Sequence, residues 1–326
     1  MTPLQNKYSR YKTLVDRRLA SLIRTKEPAS LYEPARYVLD AGGKRIRPLL
    51  VMLSCEAVGG TAKQALNAAV AIEVLHNFTL VHDDIMDNAD ARRGRPTVHK
   101  KWDCSVAILT GDALVAEAYR VLLKTKTPAI AHVADLFTEG VIEVCEGQAY
   151  DKVFETRRDV TLDEYMLMIA KKTGKLVAIS SEIGAVIGDG SPREVRILRQ
   201  YGELIGRAFQ IQDDLLDVVA DEKTFGKKIG GDIVEGKKTF LLLKALERSE
   251  GRDREVLQSV IDRSGTDGTA IPVVRDIYER TGALETAKKA IERDIAKATG
   301  LLAGLSDTPA RKMLYWLSDM LLNRHF

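Results

Sequence analysis

The chain has 326 residues, 45% of them hydrophobic, and its 49 basic and 46 acidic side chains leave a net charge of +3. That balance gives no electrostatic footprint for nucleic acid or an anionic membrane as the main partner, and the apolar content is ample for a large core. Cys55, Cys104 and Cys145 form no CxxC pair and cannot all pair with one another, which points to packing thiols in a reducing cytoplasm.

From the first residues onward, apolar side chains recur at three- and four-residue spacing, and alternating strand-like runs are scarce. The pattern predicts an all-α fold, read as one domain over 1–326 because no linker or internal repeat interrupts it. The start, Met-Thr-Pro-Leu-Gln-Asn-Lys-Tyr, lacks a basic segment followed by an apolar core, so no secretory signal is expected. Helix boundaries are expected at Pro28 and Pro34, Gly42-Gly43, Gly59-Gly60, Gly94 to Pro96, Pro128, Arg157 to Thr161, Gly188 to Pro192, Gly226 to Gly236 and Ser264 to Gly268. Segments 62–90, 162–187 and 193–220 contain no proline and are apolar on more than one side, as central helices are. The most apolar stretches are interrupted by Glu73 and Glu182, so neither gives the ~18 uncharged residues of a transmembrane helix.

The first chemical signal is Gly42-Gly43-Lys44-Arg45-Ile46-Arg47-Pro48. It puts three cations in a loop whose glycines let backbone amides approach an anion, and it reads as a diphosphate cradle. Further on, the run from His76 through Phe78, Thr79 and His82 reaches Asp83-Asp84-Ile-Met-Asp87, followed by Arg92-Arg93. A second copy, Asp213-Asp214-Leu-Leu-Asp217, ends another long helical segment. At about 100° per residue, positions i, i+1 and i+4 fall within a ~100° arc, so each motif aims three carboxylates to one side. Oxygen ligands at that density suit Mg²⁺ better than zinc. Gln210 and Asp221 extend the second stripe on the same face. Gly231, Gly236 and Lys237 then match GxxxxGK, but Lys238 stands where a nucleotide P-loop needs Ser or Thr, and a helix replaces the strand that should precede it.

In this order the motifs resemble the trans-isoprenyl diphosphate synthases, or polyprenyl synthetases, over roughly residues 35–240. The resemblance rests on the two DDxxD motifs, the GGKRIRP segment, Arg92-Arg93-Gly94, Lys172-Thr173, and the loop carrying Asp232 and Lys237. It implies long antiparallel helices around a deep central pocket, with the aspartate motifs facing each other at its mouth, and usually a homodimer. The implied reaction is head-to-tail condensation of isopentenyl diphosphate with an allylic diphosphate. By the same resemblance, Mg²⁺, three ions in the family, bridges the aspartates to the leaving diphosphate, and Lys172 and Lys237 add counter-charge. Lys44, Arg47, His76 and Arg93 would hold isopentenyl diphosphate, Arg92 would assist on the allylic side, and Thr173 and Gln210 would bind substrate. Either Lys227 or Lys228 would be the family's further binding lysine.

In this family, bulky side chains just before the first motif close the pocket floor. Phe78, five residues before Asp83, with Thr79 and Leu75 beside it, resembles the geranylgeranyl type, so a C20 product is expected and farnesyl diphosphate is the runner-up. A class I terpene cyclase normally replaces the second DDxxD and needs no second diphosphate site. A silent partner subunit tends to lose aspartates or the arginine pair. This chain keeps all of these features.

Overall fold

The computed structural model describes residues 2–23, 27–219, 230–262, 265–266 and 268–322. Helix α1 (Pro3–Ala20) starts at a reciprocal cap between Thr2 and Gln5. It is followed by α2 (Ala29–Leu39), α3 (Ile46–Ala57) and α4 (Ala62–Met86), the last opened by the same kind of cap between Thr61 and Gln64. Contrary to expectation, Pro34 does not end a helix but lies inside α2, where it is buried beside Ala35 and packing outweighs the missing N–H bond.

After α4 comes a short hairpin, β1 (Ala91–Arg92) and β2 (Arg95–Pro96). Its turn residues Arg93 and Gly94 have φ of 53° and 73°, the mirror-image turn that suits the twist of a tight hairpin. Next come α5 (Val98–Lys101), α6 (Cys104–Leu122), capped by Asp103, and α7 (Ile130–Thr156). The segment expected as one helix over 162–187 is in fact α8 (Leu162–Ile169), a π-helical turn (Ala170–Gly174) and α9 (Lys175–Ile187). Backbone crowding explains the break. A Cβ on Gly147 of α7 would sit 2.3 Å from the Lys172 nitrogen, so the two backbones nearly touch. Helix α10 (Pro192–Val219) matches its expected span within a residue. The rest is α11 (Gly231–Val234), α12 (Phe240–Arg248), α13 (Gly251–Asp262), α14 (Ile271–Arg280), α15 (Ala283–Leu302) and α16 (Pro309–Leu322).

These elements form two compact units interleaved in sequence: 1–139, 179–199 and 304–316 in the first, and 140–178, 200–303 and 317–326 in the second. In the first unit α3 and α6 pack against α4, which buries every residue from Ala68 to Leu75. Eight consecutive buried positions cover all sides of a helix, so α4 is central, as its sequence predicts. In the second unit the fully buried Asp294 of α15 takes Nε and Nη2 of Arg207 of α10 at 2.5 and 2.7 Å, a bidentate tie between two helices. Among the described residues no helix is long and apolar enough to cross a membrane.

Candidate active site

In the first unit the three cations of the glycine loop separate by role. Arg45, with φ of 55° and only 4% exposed, turns inward. Its Nε donates to Asp16 Oδ1 at 2.8 Å, Nη1 to Glu73 Oε1 at 2.6 Å, and Nη2 to the Leu39 carbonyl. Lys44 is exposed and Arg47 half-buried, so these two remain on the outer side of the anchor. The hairpin locks onto the same loop. Arg93 Nη1 donates to the Gly42 carbonyl, and a Cβ on Gly43 would meet Arg93 Nη2 at 3.3 Å.

Arg47 Nη1 donates to Nε2 of His76 at 3.3 Å. A guanidinium accepts nothing, so Nε2 carries the lone pair and the imidazole is neutral. Burial, and then the charges of Arg47, Arg93, Arg92 and Arg45, hold His76 well below its ordinary range. Arg47, Arg93 and Arg92 therefore bring positive charge to one point of α4, as an anion site requires, while the charge of Arg45 is met by Asp16 and Glu73.

The first aspartate motif occupies the C-terminal end of α4, where the helix macrodipole already disfavours negative charge. Asp83 is half-buried and Asp87 exposed, but Asp84 is buried and accepts Arg92 Nε at 2.6 Å. Burial raises the Asp84 pKa, against the pull of Arg92.

The second motif repeats this arrangement at the C-terminal end of α10. Asp213 and Asp217 are half-buried, whereas Asp214 is buried and held by protein donors. Tyr165 Oη and the Phe240 N–H donate to its Oδ2 at 2.5 and 3.2 Å, and Gln210 Nε2 to its Oδ1 at 3.0 Å. Thr173 Oγ1 in turn donates to Gln210 Oε1 at 2.8 Å. Asp217 Oδ2 accepts the Asp232 N–H at 3.0 Å, so α11 begins against the acidic stripe. Burial, then Asp217 and Asp214, push the Asp232 carboxyl well above the usual range, and burial does the same to Asp214. Carboxylates that raise one another at a helix C-terminus form a site a hard divalent cation would stabilise, so the residues fit Mg²⁺.

Within the second unit a cavity of about 130 Å³ opens beside this cluster. Lys172, Gln210, Asp214, Asp232 and Lys237 line its polar side, and Phe154, Met168 and Ile169 its apolar side. Lys172 Nζ, on the π-helical turn, pairs with Asp151 Oδ2 at 2.6 Å, and Lys237 Nζ lies 2.6 Å from Glu235 and 3.7 Å from Asp232. Lys238 donates from its buried Nζ to the Glu155 carbonyl, anchoring the end of α7. Lys227, Lys228 and Asp221 lie outside the described residues.

Phe78 stacks edge-on against His82 with centroids 4.8 Å apart, Thr79 donates to the His76 carbonyl, and Leu75 is buried. His82 fits against α6 because Gly111 has no side chain. A Cβ there would lie 2.1 Å from His82 Nε2. Only Cys55 of the three thiols is a packing thiol, its pKa pushed up to about 11 by burial, while Cys104 and Cys145 are exposed. Asp151 and Tyr165 escaped sequence reading because neither belongs to a spaced motif. Each acts through a partner distant in sequence.

Helix ends carrying paired carboxylates, and a cation-rich loop, have the chemistry that an enzyme acting on diphosphates requires. Residues 28–281 match the polyprenyl synthetase family. The short chain isoprenyl diphosphate synthase of Methanothermobacter thermautotrophicus is 42% identical over 97% of each chain. The geranylgeranyl diphosphate synthase of Methanosarcina mazei is 39% identical over 96% of this chain and 95% of that one. The crystal structure of geranylgeranyl pyrophosphate synthetase from Pyrococcus horikoshii Ot3 aligns with a TM-score of 0.93 at 38% identity, over 98% of this chain and 99% of that one. The chain belongs to the polyprenyl synthetase family and is a prenyltransferase.

Proposed function

We propose that the protein condenses isopentenyl diphosphate with allylic diphosphates head to tail, releasing diphosphate and forming mainly C20 geranylgeranyl diphosphate. The observation that carries this reading is the Arg47 guanidinium on the His76 imidazole at 3.3 Å, with the charges of Arg93 and Arg92 acting on the same ring, an anion site one helical stretch from a DDxxD motif. Lys44, Arg47, His76 and Arg93 bind the diphosphate of the isopentenyl substrate. Thr173, Gln210, Lys172 and Lys237 serve the allylic one, with Arg92 assisting.

Asp83, Asp87, Asp213 and Asp217 are the Mg²⁺ ligands in this reading. Asp84 and Asp214, the buried member of each motif, orient them. Among the described residues no three His, Cys, Asp or Glu side chains already enclose a single ion position, so we assign substrate phosphate oxygens to the rest of the coordination shell. Bound there, Mg²⁺ supplies the positive charge that offsets charge growing on the departing diphosphate.

The allylic C–O bond breaks with its electron pair going to the diphosphate oxygen. The isopentenyl alkene attacks the allylic carbon, and the C2 proton leaves to the released diphosphate. The ammonium groups of Lys172 and Lys237, steadied by Asp151 and Glu235, act as further counter-charges. The apolar side of the cavity keeps water from the cation.

The geranylgeranyl names of several relatives and the aromatic Phe78 support a C20 product. Exposed Ile108 and Leu109 on α6 and Leu123 at its C-cap support a homodimer, since a second copy would cover them. Cys55, Cys104 and Cys145, none of them in a disulfide, support a cytoplasmic setting. Incubating purified protein with Mg²⁺, labelled isopentenyl diphosphate and each allylic primer in turn, and resolving product length by chromatography, tests the reading. Products stopping at C15 favour farnesyl diphosphate synthesis, and absence of any condensation product rejects the activity.

A further inference from the structure

Tyr165 is 2% exposed, sits among the apolar residues of α8, and sends its hydroxyl to Asp214 Oδ2 across 2.5 Å. Asp214 is the one aspartate of its motif that faces inward, and both its oxygens take protein donors: Tyr165 and the Phe240 amide on one, Gln210 on the other. On an ideal helix Asp214 lies ~100° from Asp213 and ~60° from Asp217, so fixing its carboxylate fixes where those neighbours present theirs.

We propose that Tyr165 is a positioning residue that, by gripping Asp214, sets the rotation of the last turns of α10 and so the placement of the oxygens of Asp213 and Asp217. The assignment rests on the reading of those two aspartates as cation ligands. A neutral donor suits the task better than a buried cation. Arginine at this place would cancel the charge of Asp214, whereas the phenol holds the geometry and adds no positive charge to the cluster. Burial and Asp214 raise the Tyr165 pKa well above its ordinary value, so the hydroxyl keeps the proton it donates. The first motif has a different device: Asp84 is held by Arg92, a half-exposed cation from the hairpin.

The test is Mn²⁺ affinity of the full chain without substrate, read by electron paramagnetic resonance, together with steady-state kinetics. Tyr165→Phe is expected to weaken Mn²⁺ about 10-fold or more, as loss of a group orienting a metal ligand does. It should raise the Mg²⁺ concentration for half-maximal rate and leave KM for isopentenyl diphosphate unchanged. Tyr201→Phe, which removes another buried hydroxyl contact, to Ser318 at 3.0 Å, should leave metal affinity and dependence at wild-type values. In an Asp214→Ala background, where no acceptor is left for the hydroxyl, adding Tyr165→Phe should change nothing more, and this pair supplies the test should Y165F alone not fold. Wild-type Mn²⁺ affinity in Y165F, or an additive loss on top of D214A, overturns the proposal. If Asp213→Ala and Asp217→Ala also leave Mn²⁺ affinity untouched, the ligand reading itself fails. If they lose it and Y165F does not, only the role of Tyr165 is lost.

Discussion

Nη1 of Arg47 and Nε2 of His76 lie 3.3 Å apart, with the guanidinium as donor and the imidazole as acceptor. Position 76 therefore needs an acceptor more than it needs a histidine, and the carboxamide oxygen of glutamine can take the same bond. His76→Gln is expected to keep KM for isopentenyl diphosphate within a few-fold of wild type. His76→Leu removes a hydrogen bond to a charged group, worth ~1.5–3 kcal/mol, and should raise that KM about 10- to 100-fold. Equal values for the two variants would remove the acceptor role.

The same surroundings make His76 a source of acid sensitivity. Its folded pKa lies well below the ordinary 6.5, so between the two values the unfolded chain binds the extra proton. Its contribution to stability is full above about pH 6.5 and falls as pH drops below it, by up to about 1.4 kcal/mol per pH unit. Urea unfolding at pH 7.5 and pH 5.5 should show this loss in wild type and a smaller one in His76→Gln. An identical pH dependence in both would assign the loss to other groups.

Arg45 and Glu73 form a buried pair at 2.6 Å, with side chains 2% and 3% exposed. Removing one partner strands the other charge in the core of the first unit. Arg45→Met is expected to lower unfolding free energy by about 3–5 kcal/mol, measurable by chemical denaturation. A change below ~1 kcal/mol would show that Glu73 finds another partner.

The reach and the limit of sequence reading are both visible in this loop. Lys44, Arg45 and Arg47 are indistinguishable as a basic run, and only tertiary burial makes Arg45 an anchor while its neighbours stay outside. The helical class and the central position of α4 were legible because periodicity and unbroken apolar character act locally. The π-helical turn that carries Lys172 was not, since its cause is the close approach of Gly147 from another helix. In each aspartate motif the three acids look alike in sequence. The inward turn of Asp84 and Asp214 depends on Arg92 and Tyr165, which no spacing rule links to them.

Phe78 is half-buried and packed edge-on against His82, which is itself fitted against α6 at Gly111. Replacing the ring with a methyl group opens space along that side of α4. Phe78→Ala is expected to shift the main product beyond C20, read by reversed-phase chromatography of the dephosphorylated alcohols. An unchanged distribution would place the floor elsewhere.

The central claim is that both aspartate motifs serve one Mg²⁺-dependent condensation, and the rate of labelled isopentenyl diphosphate incorporation onto farnesyl diphosphate tests it most directly. Wild-type protein should form the C20 diphosphate with Mg²⁺ and none in excess chelator. Asp83→Ala and Asp213→Ala should each lower kcat about 10²- to 10³-fold, the loss typical of one preorganised charge-stabilising group. Near-wild-type turnover in either variant, or undiminished synthesis in chelator, would contradict it.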